Sequence, residues 1–253
     1  MIRGGPRRRT IAATPKPSAG AHAIPSLDVS ATARREELKH LLMAARQCTR
    51  CAELASTRTS VVFGAGNADA ELMFVGEAPG ANEDLQGLPF VGAAGKLLEK
   101  LLGEIGLSRA EVFIANVLKC RPPGNRDPQP HEIDNCRPYL VRQIELIEPR
   151  VICTLGNFST KLLRGRPEGI TRVHGEAEVR TIGEHTARLY PLFHPAAALY
   201  TPSTMETLRA DFTRLPAVLA LPAPPRPAPV PVLATEPAPP VAEPAQAEQL
   251  GLF

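Results

Sequence analysis

The sequence predicts an α/β fold, a three-layer αβα sandwich around a central and mostly parallel sheet. Short apolar runs of strand type alternate with amphipathic helical segments over about 150 residues, which is the pattern of successive βαβ units. The conspicuous polar loops follow strands, and ligands bind beyond the carboxyl ends of strands in such sheets. The chain of 253 residues is long enough for one substantial domain with tails, or for two small domains.

The first helix is predicted over 32–46, where leucine and alanine recur at helical spacing. Residues 71–75 (ELMFV) are predicted to form a short apolar strand. A strongly amphipathic helix follows over 96–105 and ends at Gly106, because glycine commonly terminates helices. The next strand is predicted at 111–118 (EVFIANVL), ahead of a proline-rich loop.

The same alternation continues to the end of the folded region. A helix is predicted over 130–147, and residues 150–155 (RVICTL) are typical of a buried strand. The remaining elements are a helix over 156–163, a strand at 189–193 and a helix over 203–219. We therefore expect the loops after Val75, Leu118 and Phe193 to converge at one edge of the sheet.

The two ends of the chain differ in composition from the middle. Residues 1–33 are rich in arginine, proline and alanine and poor in large apolar groups, which predicts a disordered basic arm. Residues 220–253 form a Pro/Ala-rich tail that is also predicted to be disordered. The folded domain would span 34–219, which is nearly neutral. Affinity for a polyanion must therefore come from local patches and from the arm.

The composition also bounds the location of the protein. No apolar run reaches the length of about 20 residues that a membrane span needs, and the N-terminus lacks the apolar segment of a secretory signal. The first 20 residues carry five basic and no acidic side chains, which is also compatible with a transit peptide. We expect a cytoplasmic protein. Five cysteines in that compartment indicate metal binding or catalysis rather than disulfides.

Four of the five cysteines form a predicted metal site. Cys48 and Cys51 make a Cys-x-x-Cys pair, which can clamp one metal but would also suit a redox dithiol. Cys120 and Cys136 supply a second and wider pair, and four thiolates suit either an iron–sulfur cluster or tetrahedral zinc. The alternative is a set of scattered buried thiols, as the mid-strand position of Cys153 indicates for that residue.

The segment GEAPG directly follows the strand at 71–75. Its glycines allow the backbone to approach a ligand closely, so we assign Gly76 and Ala78 to substrate binding. Glu77 is expected to direct a carboxylate into the cleft, and Glu83 and Asp84 add two more. The alternative for these acidic residues is a simple solvated turn.

Two further residues are candidates for recognising a flat, polar ring. Phe90 lies among small residues, where an aromatic side chain suits stacking; the alternative is an ordinary core residue. Asn116 is an amide within an apolar strand, so it must find partners or cost about 1–3 kcal/mol. Its coplanar donors and acceptor match the edge of a pyrimidine.

The loops after the strands at 111–118 and 189–193 carry further polar candidates. Asn125 lies in a basic loop with Lys119, Arg121 and Arg126, a combination suited to phosphates. His194 follows the last strand, where it could donate a hydrogen bond to a developing anion. The alternative for His194 is a helix-capping or core histidine.

The combination of these features resembles the family 4 uracil-DNA glycosylases. The segments that are similar to that family's motifs are GEAPGANEDLQGLPFVGAAGKLL (76–98), FIANVLKCRPPGNRDP (113–128) and HPAAAL (194–199). Four cysteines stand in matching places, and the resemblance covers about 48–215. It implies the fold of those enzymes, a [4Fe–4S] cluster on the four cysteines, and excision of uracil that leaves an abasic site in DNA.

The resemblance also implies roles by motif position. Phe90 would stack on the flipped uracil, Asn116 would read its polar edge, and His194 would stabilise negative charge on uracil O2. The positions tied to catalysis and water placement are Glu77, Glu83 and Asn125. The sequence departs from the family pattern at Ala196, where serine is frequent.

Two other classes of protein remain as alternatives. A related branch binds uracil-DNA covalently through a histidine in an insertion after the second motif; this chain runs straight on through 119–122, which favours ordinary turnover. A noncatalytic or covalent damage sensor is the main alternative. A redox enzyme is disfavoured, because all four thiolates are committed to cluster ligation.

The C-terminal sequence QLGLF resembles the short peptide with which bacterial replication and repair proteins bind the sliding clamp. Its predicted anchors are Gln249, Leu250, Leu252 and Phe253. The proline-rich spacer would give the peptide reach, and a chance apolar terminus is the alternative. The basic arm would add nonspecific DNA affinity or serve only as a solubilising tail.

Overall fold

The computed structural model describes Met1 and residues 29–225. Residues 2–28 of the predicted basic arm lie outside the described residues, and its last residues, 29–33, are helical rather than disordered. The tail from residue 226 onward, with the predicted clamp-binding peptide at 249–253, lies outside the described residues as well.

The helices and strands alternate along most of the described chain. The helices are α1 (Val29–Arg46), α2 (Ala52–Thr57), α3 (Ala81–Gln86), α4 (Ala93–Glu104), α5 (Pro130–Ile147), α6 (Asn157–Arg164), α7 (Ile170–Val173), α8 (Pro195–Ala198) and α9 (Pro202–Ala220). The strands are β1 (Ala65–Gly66), β2 (Leu72–Gly76), β3 (Phe113–Asn116), β4 (Val151–Leu155), β5 (Glu178–Ile182) and β6 (His185–Leu192). A short 3-10 turn covers Pro123–Asn125.

The six strands form one sheet in the order β1-β3-β2-β4-β6-β5. The four central strands are parallel, and the edge strands β1 and β5 are antiparallel to their neighbours. In the centre, Gly76 of β2 is in register with Asn116 of β3. The carboxyl ends of β2, β3 and β6 therefore meet at one edge of the sheet.

The sheet has a hydrophobic core on each face, as the alternating side chains of its strands require. In β2, Met73 and Val75 pack into one core together with residues of α1 and α5, while Leu72 and Phe74 pack into the other with residues of α4 and α9. This arrangement confirms the predicted α/β sandwich with a mostly parallel centre. No helix in the part of the chain that the structure describes is long and apolar enough to cross a membrane.

The differences from the predicted elements lie mainly at short or half-exposed segments. The helix predicted over 32–46 begins at Val29, and the strand predicted at 189–193 extends back to His185. Strand β5 was not predicted because charged residues alternate with exposed ones along it. The His-Pro loop expected after the last strand contains a one-turn helix, α8, with His194 at its N-cap.

Candidate active site

A cavity of about 370 Å³ lies where the carboxyl ends of β2, β3 and β6 meet, a size typical of small-ligand sites. The predicted site residues that line it are Glu77, Ala78, Glu83, Phe90, Asn116, Asn125 and His194. The three loops expected to converge therefore do so, and each contributes side chains to one cavity.

Gly76 lies behind the wall of this cavity, between Asn116 and Phe90. A Cβ atom at position 76 would lie 2.4 Å from Asn116 Oδ1 and 2.8 Å from Phe90 Cε2. The absence of a side chain at Gly76 therefore allows the amide and the aromatic ring to approach one another.

Asn116 is the last residue of β3, and its side chain is almost completely buried. Its backbone neighbours are held to the adjacent loop, because the Val117 N–H donates to Gly76 O at 3.0 Å and the Leu118 N–H donates to Glu77 O at 2.9 Å. Within the described residues, Asn116 Oδ1 has no hydrogen-bond partner. A buried amide oxygen of this kind is costly unless a ligand satisfies it.

Phe90 is held in an unusual backbone conformation above the cavity. Its φ of 53° lies in the left-handed region, which a bulky residue rarely adopts. The Arg109 guanidinium donates to Phe90 O at 2.8 Å and to Pro89 O, so it clamps this loop from outside. A Cβ at Gly95 would lie 1.8 Å from Phe90 O, which explains the glycine in the facing helix. The ring is buried, as expected of a core residue, and it is also part of the cavity wall.

His194 combines a capping bond with a place in the cavity wall. Its Nδ1 accepts a hydrogen bond from the Ala196 N–H at 3.1 Å, at the start of α8. Burial lowers the pKa of His194 to about 4, with an opposing effect from the Glu83 charge. The ring is therefore neutral near pH 7, and with Nδ1 acting as acceptor the proton is on Nε2. The ring is left with one N–H donor.

Glu77 follows β2 directly and lies half-buried in the cavity wall. Burial, together with a smaller effect from the charge of Asp127, raises the pKa of Glu77 to about 7. A carboxyl group with a pKa near neutrality exchanges its proton readily, which is the property of a general acid or base.

Glu83 and Asp84 separate into different roles, although both were expected to face the cleft. Glu83 Oε1 accepts hydrogen bonds from the Val91 and Gly92 N–H groups at 2.9 Å, so this carboxylate braces the loop that carries Phe90. Asp84 is buried away from the cavity, where it accepts from the Thr59 N–H at 3.0 Å. Asp84 therefore fixes a neighbouring loop and does not line the cavity.

The loop after β3 contains Asn125 at its exposed tip. Asn125 also has a positive φ, of 55°, and its Oδ1 accepts from Arg121 Nε at 2.7 Å. Arg126 lines the cavity, but its guanidinium binds both oxygens of the buried Glu132 at 2.7 and 3.0 Å and also pairs with Glu53. Arg126 therefore fixes the loop on α5 rather than offering its charge to phosphates.

Lys119 was also expected to face phosphates, and this expectation is wrong. Its side chain is only 2% exposed and points into the protein beneath β3. Sequence position alone did not reveal this burial, because a lysine in a basic loop is usually solvated. Sequence position also did not reveal the clamp by Arg109, whose guanidinium donates to the carbonyl groups of Phe90 and Pro89, 19 and 20 residues earlier in the chain.

The four predicted ligand cysteines lie close together beside this loop. The charges of Cys48 and Cys51 act on Cys120, and those of Cys120 and Cys51 act on Cys136. Three N–H groups point at the sulfur atoms: Arg58 Nη1 to Cys120 at 3.1 Å, Lys119 N to Cys136 at 3.4 Å and Asn135 Nδ2 to Cys51 at 3.5 Å. Donors of this kind stabilise negative charge on sulfur.

The fifth cysteine provides the contrast. Cys153 is fully buried in β4, and burial alone raises its pKa well above the ordinary value for a thiol. Burial also raises the pKa of Cys136, to about 11, so without a metal that thiol stays protonated.

Within residues 29–225, no group of three or more His, Cys, Asp or Glu side chains is arranged to hold a metal ion. A cluster of several irons spaces its thiolates more widely than one ion does, and the four-thiol donor set fits such a group.

The chain matches the sequence profile of the Uracil DNA glycosylase superfamily over residues 63–215. A type-4 uracil-DNA glycosylase of Saccharolobus solfataricus is 49% identical over 180 residues, which are 69% of this chain and 83% of that protein. The type-4 enzyme of Sulfurisphaera tokodaii is 48% identical over 71% of this chain and 82% of its own length. That of Archaeoglobus fulgidus is 46% identical over 71% and 92%. The chain belongs to the type-4 branch of the uracil-DNA glycosylase superfamily.

Proposed function

We propose that this protein excises uracil from DNA by hydrolysing its N-glycosidic bond, and that the cavity at Asn116 is the site of the reaction. The observation that carries the proposal is the buried Asn116 Oδ1, which has no partner within the described residues. It lies at the end of a cavity whose other walls are an aromatic ring and a neutral histidine. A flat ring that offers an N–H donor to Asn116 Oδ1 and an acceptor to His194 Nε2–H satisfies all three.

Uracil meets this description, and cytosine does not. The N3–H group of uracil would donate to Asn116 Oδ1, while uracil O4 accepts from the amide nitrogen. Cytosine has an acceptor at N3 and a donor at N4, which reverses both hydrogen bonds. An unpaired buried polar group on each side costs about 1–3 kcal/mol, so the fixed amide discriminates between the two bases.

The reaction requires the base to leave the duplex. Extrusion into the cavity costs a few kcal/mol, which stacking of the base on Phe90 offsets in part. The Phe90 loop is already held by Glu83 and Arg109, so little ordering is needed when the base enters. Ala78 lines the cavity and would contact the base, whereas Gly76 lies behind the wall and acts by letting Asn116 and Phe90 approach one another.

Bond cleavage places negative charge on the departing uracil, mainly on O2, and positive charge on the sugar. The Nε2–H group of His194 would donate to O2 as that charge develops. A neutral donor suits this role because it stabilises the anion without transferring its proton. Its pKa of about 4 keeps His194 in this form across the physiological range.

Glu77 is assigned to the sugar side of the reaction. Its carboxylate would favour the cationic sugar and accept a proton from the attacking water, since a pKa of about 7 allows both states near neutrality. Asn125 at the rim would help to orient that water. Glu83 acts through the Phe90 loop and through its charge beside His194.

The four clustered thiols are assigned to a [4Fe–4S] cluster on Cys48, Cys51, Cys120 and Cys136. Three N–H donors at the sulfur atoms support the assignment, as does the exclusion of Cys153 from the group. The bound group would supply thiolate cross-links between the segment that joins α1 to α2, the loop after β3, and α5. Excision itself needs no electron transfer, so we assign the cluster a structural role.

The terminal segments extend the proposal to partners. The peptide 249–253 would bind a sliding clamp, and the arginines of the arm would bind the DNA backbone. Repair of DNA would place the protein in the cytoplasm, on the nucleoid in a prokaryote, and we expect it to act as a monomer. Deleting 249–253 should remove clamp binding measured by surface plasmon resonance and leave activity on short oligonucleotides unchanged.

The direct test is to identify the released product. The protein is incubated with an oligonucleotide that carries one radiolabelled uracil, and free base is separated from DNA by chromatography. Release of labelled uracil supports hydrolysis. Tight binding without release would instead indicate a noncatalytic damage sensor, and a DNA–protein adduct stable to denaturant would indicate the covalent branch.

A further inference from the structure

Lys119 is a fully enclosed lysine between the cysteine site and the base-reading amide. Its side chain has a relative exposure of 2%, and lysine is almost never buried to this extent unless it is paired. Within residues 29–225 it forms no ion pair with a carboxylate, and the charges that act on it are those of Cys136 and Cys120. The reason for burying this cation therefore lies in its hydrogen bonds.

The ammonium group satisfies its donors on three sides. Nζ donates to the backbone oxygen of Asn116 at 2.8 Å and to Gln143 Oε1 at 2.6 Å, and it lies 5.9 Å from the centroid of the Phe63 ring. Gln143 is fixed in turn, because its Nε2 donates to Phe63 O at 2.9 Å. The network connects α5, the segment before β1 and the end of β3.

The backbone of the same residue reaches the cysteine site. The Lys119 N–H donates to Cys136 Sγ at 3.4 Å, and Lys119 O accepts from the Val62 N–H at 2.8 Å. One residue thus contacts a predicted cluster ligand through its main chain and the carbonyl of Asn116 through its side chain.

The end of β3 needs this support on one side. Strand β1 pairs with β3 only at Phe113 and Ile114, so Asn116 lies two residues beyond the last paired position. On the other side the strand end is held by the loop after β2. The Lys119 ammonium supplies a strong donor where β1 no longer runs alongside.

We propose that Lys119 is a positioning residue for uracil recognition: its ammonium fixes the carbonyl of Asn116, and with it the amide that reads the base, relative to the cysteine site. The inference rests on the proposed function. Asn116 Oδ1 is packed so closely against Gly76 that a small shift of the strand end would misalign the amide with the base. Loss of a charged hydrogen bond should weaken recognition of uracil about tenfold to a hundredfold.

The test compares two DNA ligands on the full-length holoprotein. One carries a non-hydrolysable uracil nucleotide with a fluorinated sugar, and the other carries an abasic site at the same position. The abasic-site dissociation constant divided by the uracil dissociation constant gives a ratio that isolates the contribution of the base. We expect Lys119→Met to lower this ratio at least tenfold, with abasic-site affinity and iron content within about twofold of wild type.

Two further variants keep the test decisive. Gln143→Met leaves Lys119 and the cysteines in place but removes one acceptor, so the ratio should fall in the same direction; it decides the matter if Lys119→Met does not fold. Tyr190→Phe removes a buried hydrogen bond, Tyr190 Oη to Asp211 O at 3.0 Å, in the opposite core and should leave the ratio unchanged.

The outcomes are distinguishable. If the wild-type protein is active and Lys119→Met has the same ratio of dissociation constants as wild type, this inference alone is overturned. Gln143→Met decides in the same way when Lys119→Met does not fold. An equal loss of affinity for both ligands also overturns it, because that result indicates general destabilisation. A wild-type protein that neither excises uracil nor prefers the uracil ligand overturns the proposed function as well.

Discussion

Phe90 and His194 form one stacked wall of the cavity, with ring centroids 5.6 Å apart and planes inclined by 28°. The two residues come from different loops, one after β2 and one after β6, so the stack joins the loops across the sheet edge. Gly156 supports the histidine from behind, where a Cβ would lie 3.2 Å from His194 Cβ. The surface that would hold the base is thus assembled before any ligand enters.

Replacing Phe90 by alanine should remove the stacking surface while leaving the protein folded. Base–aromatic stacking contributes about 1–3 kcal/mol, so we expect kcat/KM on uracil-DNA to fall about 5- to 150-fold. Steady-state kinetics would measure the loss. Phe212→Leu is the matched control: Phe212 stacks on Phe74 in the core at 5.9 Å, so its replacement should lower Tm without a comparable loss of activity. Equal activity in wild type and Phe90→Ala would refute the stacking role.

Arg109 should act on the same wall from a distance. Arg109→Met removes the clamp on the Pro89 and Phe90 carbonyls, which leaves the left-handed conformation of Phe90 without its main support. We expect KM for uracil-DNA to rise about tenfold with a smaller change in kcat, because the stacking ring loses its preorganised position. Arg209→Met removes an exposed pair with Glu104 and should change neither constant. A KM for Arg109→Met equal to that of the control would count against the clamp.

The activity should depend on pH through Glu77. Its pKa is raised to about 7, so the carboxylate that the proposal requires forms as pH rises through that value. Below it, single-turnover rates should fall about tenfold per pH unit. His194 does not add to this limb, since its pKa of about 4 leaves it neutral throughout. Glu77→Gln should be slow and should lack this acid limb between about pH 5 and 8.

The control for this pH profile is Glu71→Gln, which removes an exposed partner of Arg150. It should keep the wild-type profile. A Glu77→Gln variant that retains the acid limb would show that another group governs it.

Replacing a predicted ligand cysteine and replacing Cys153 should have different effects on the iron content of the protein. Cys136→Ala should lose most of the roughly four iron atoms per chain expected for a [4Fe–4S] cluster, and with them the brown colour and thermal stability. Cys153→Ala should retain the iron, because Cys153 is enclosed in β4 and lacks a donor at its sulfur among the described residues. Metal analysis and Tm would distinguish the two. Equal iron content in both variants would remove Cys136 from the ligand set.

The sequence predicted those site residues whose side chains differ chemically from their neighbours in the chain. An amide in an apolar strand, a histidine after another strand and four cysteines each contrast with their surroundings, and Asn116 and His194 do line the cavity. The neighbours Glu83 and Asp84 could not be separated, because their opposite directions depend on the helical turn that carries them. Lys119 and Arg109 resemble surface residues in sequence. Their roles depend on carbonyl groups that only the folded chain brings within reach.

The most direct test of the account is single-turnover excision by wild type and Asn116→Ala on one uracil-containing oligonucleotide, with alkali cleavage at the product site as the readout. We predict cleavage at the uracil by wild type and none in a uracil-free control. Asn116→Ala should be about 10²- to 10³-fold slower with its iron content unchanged. No alkali-labile site with wild type would contradict uracil excision, and equal rates for the two proteins would contradict the role of Asn116.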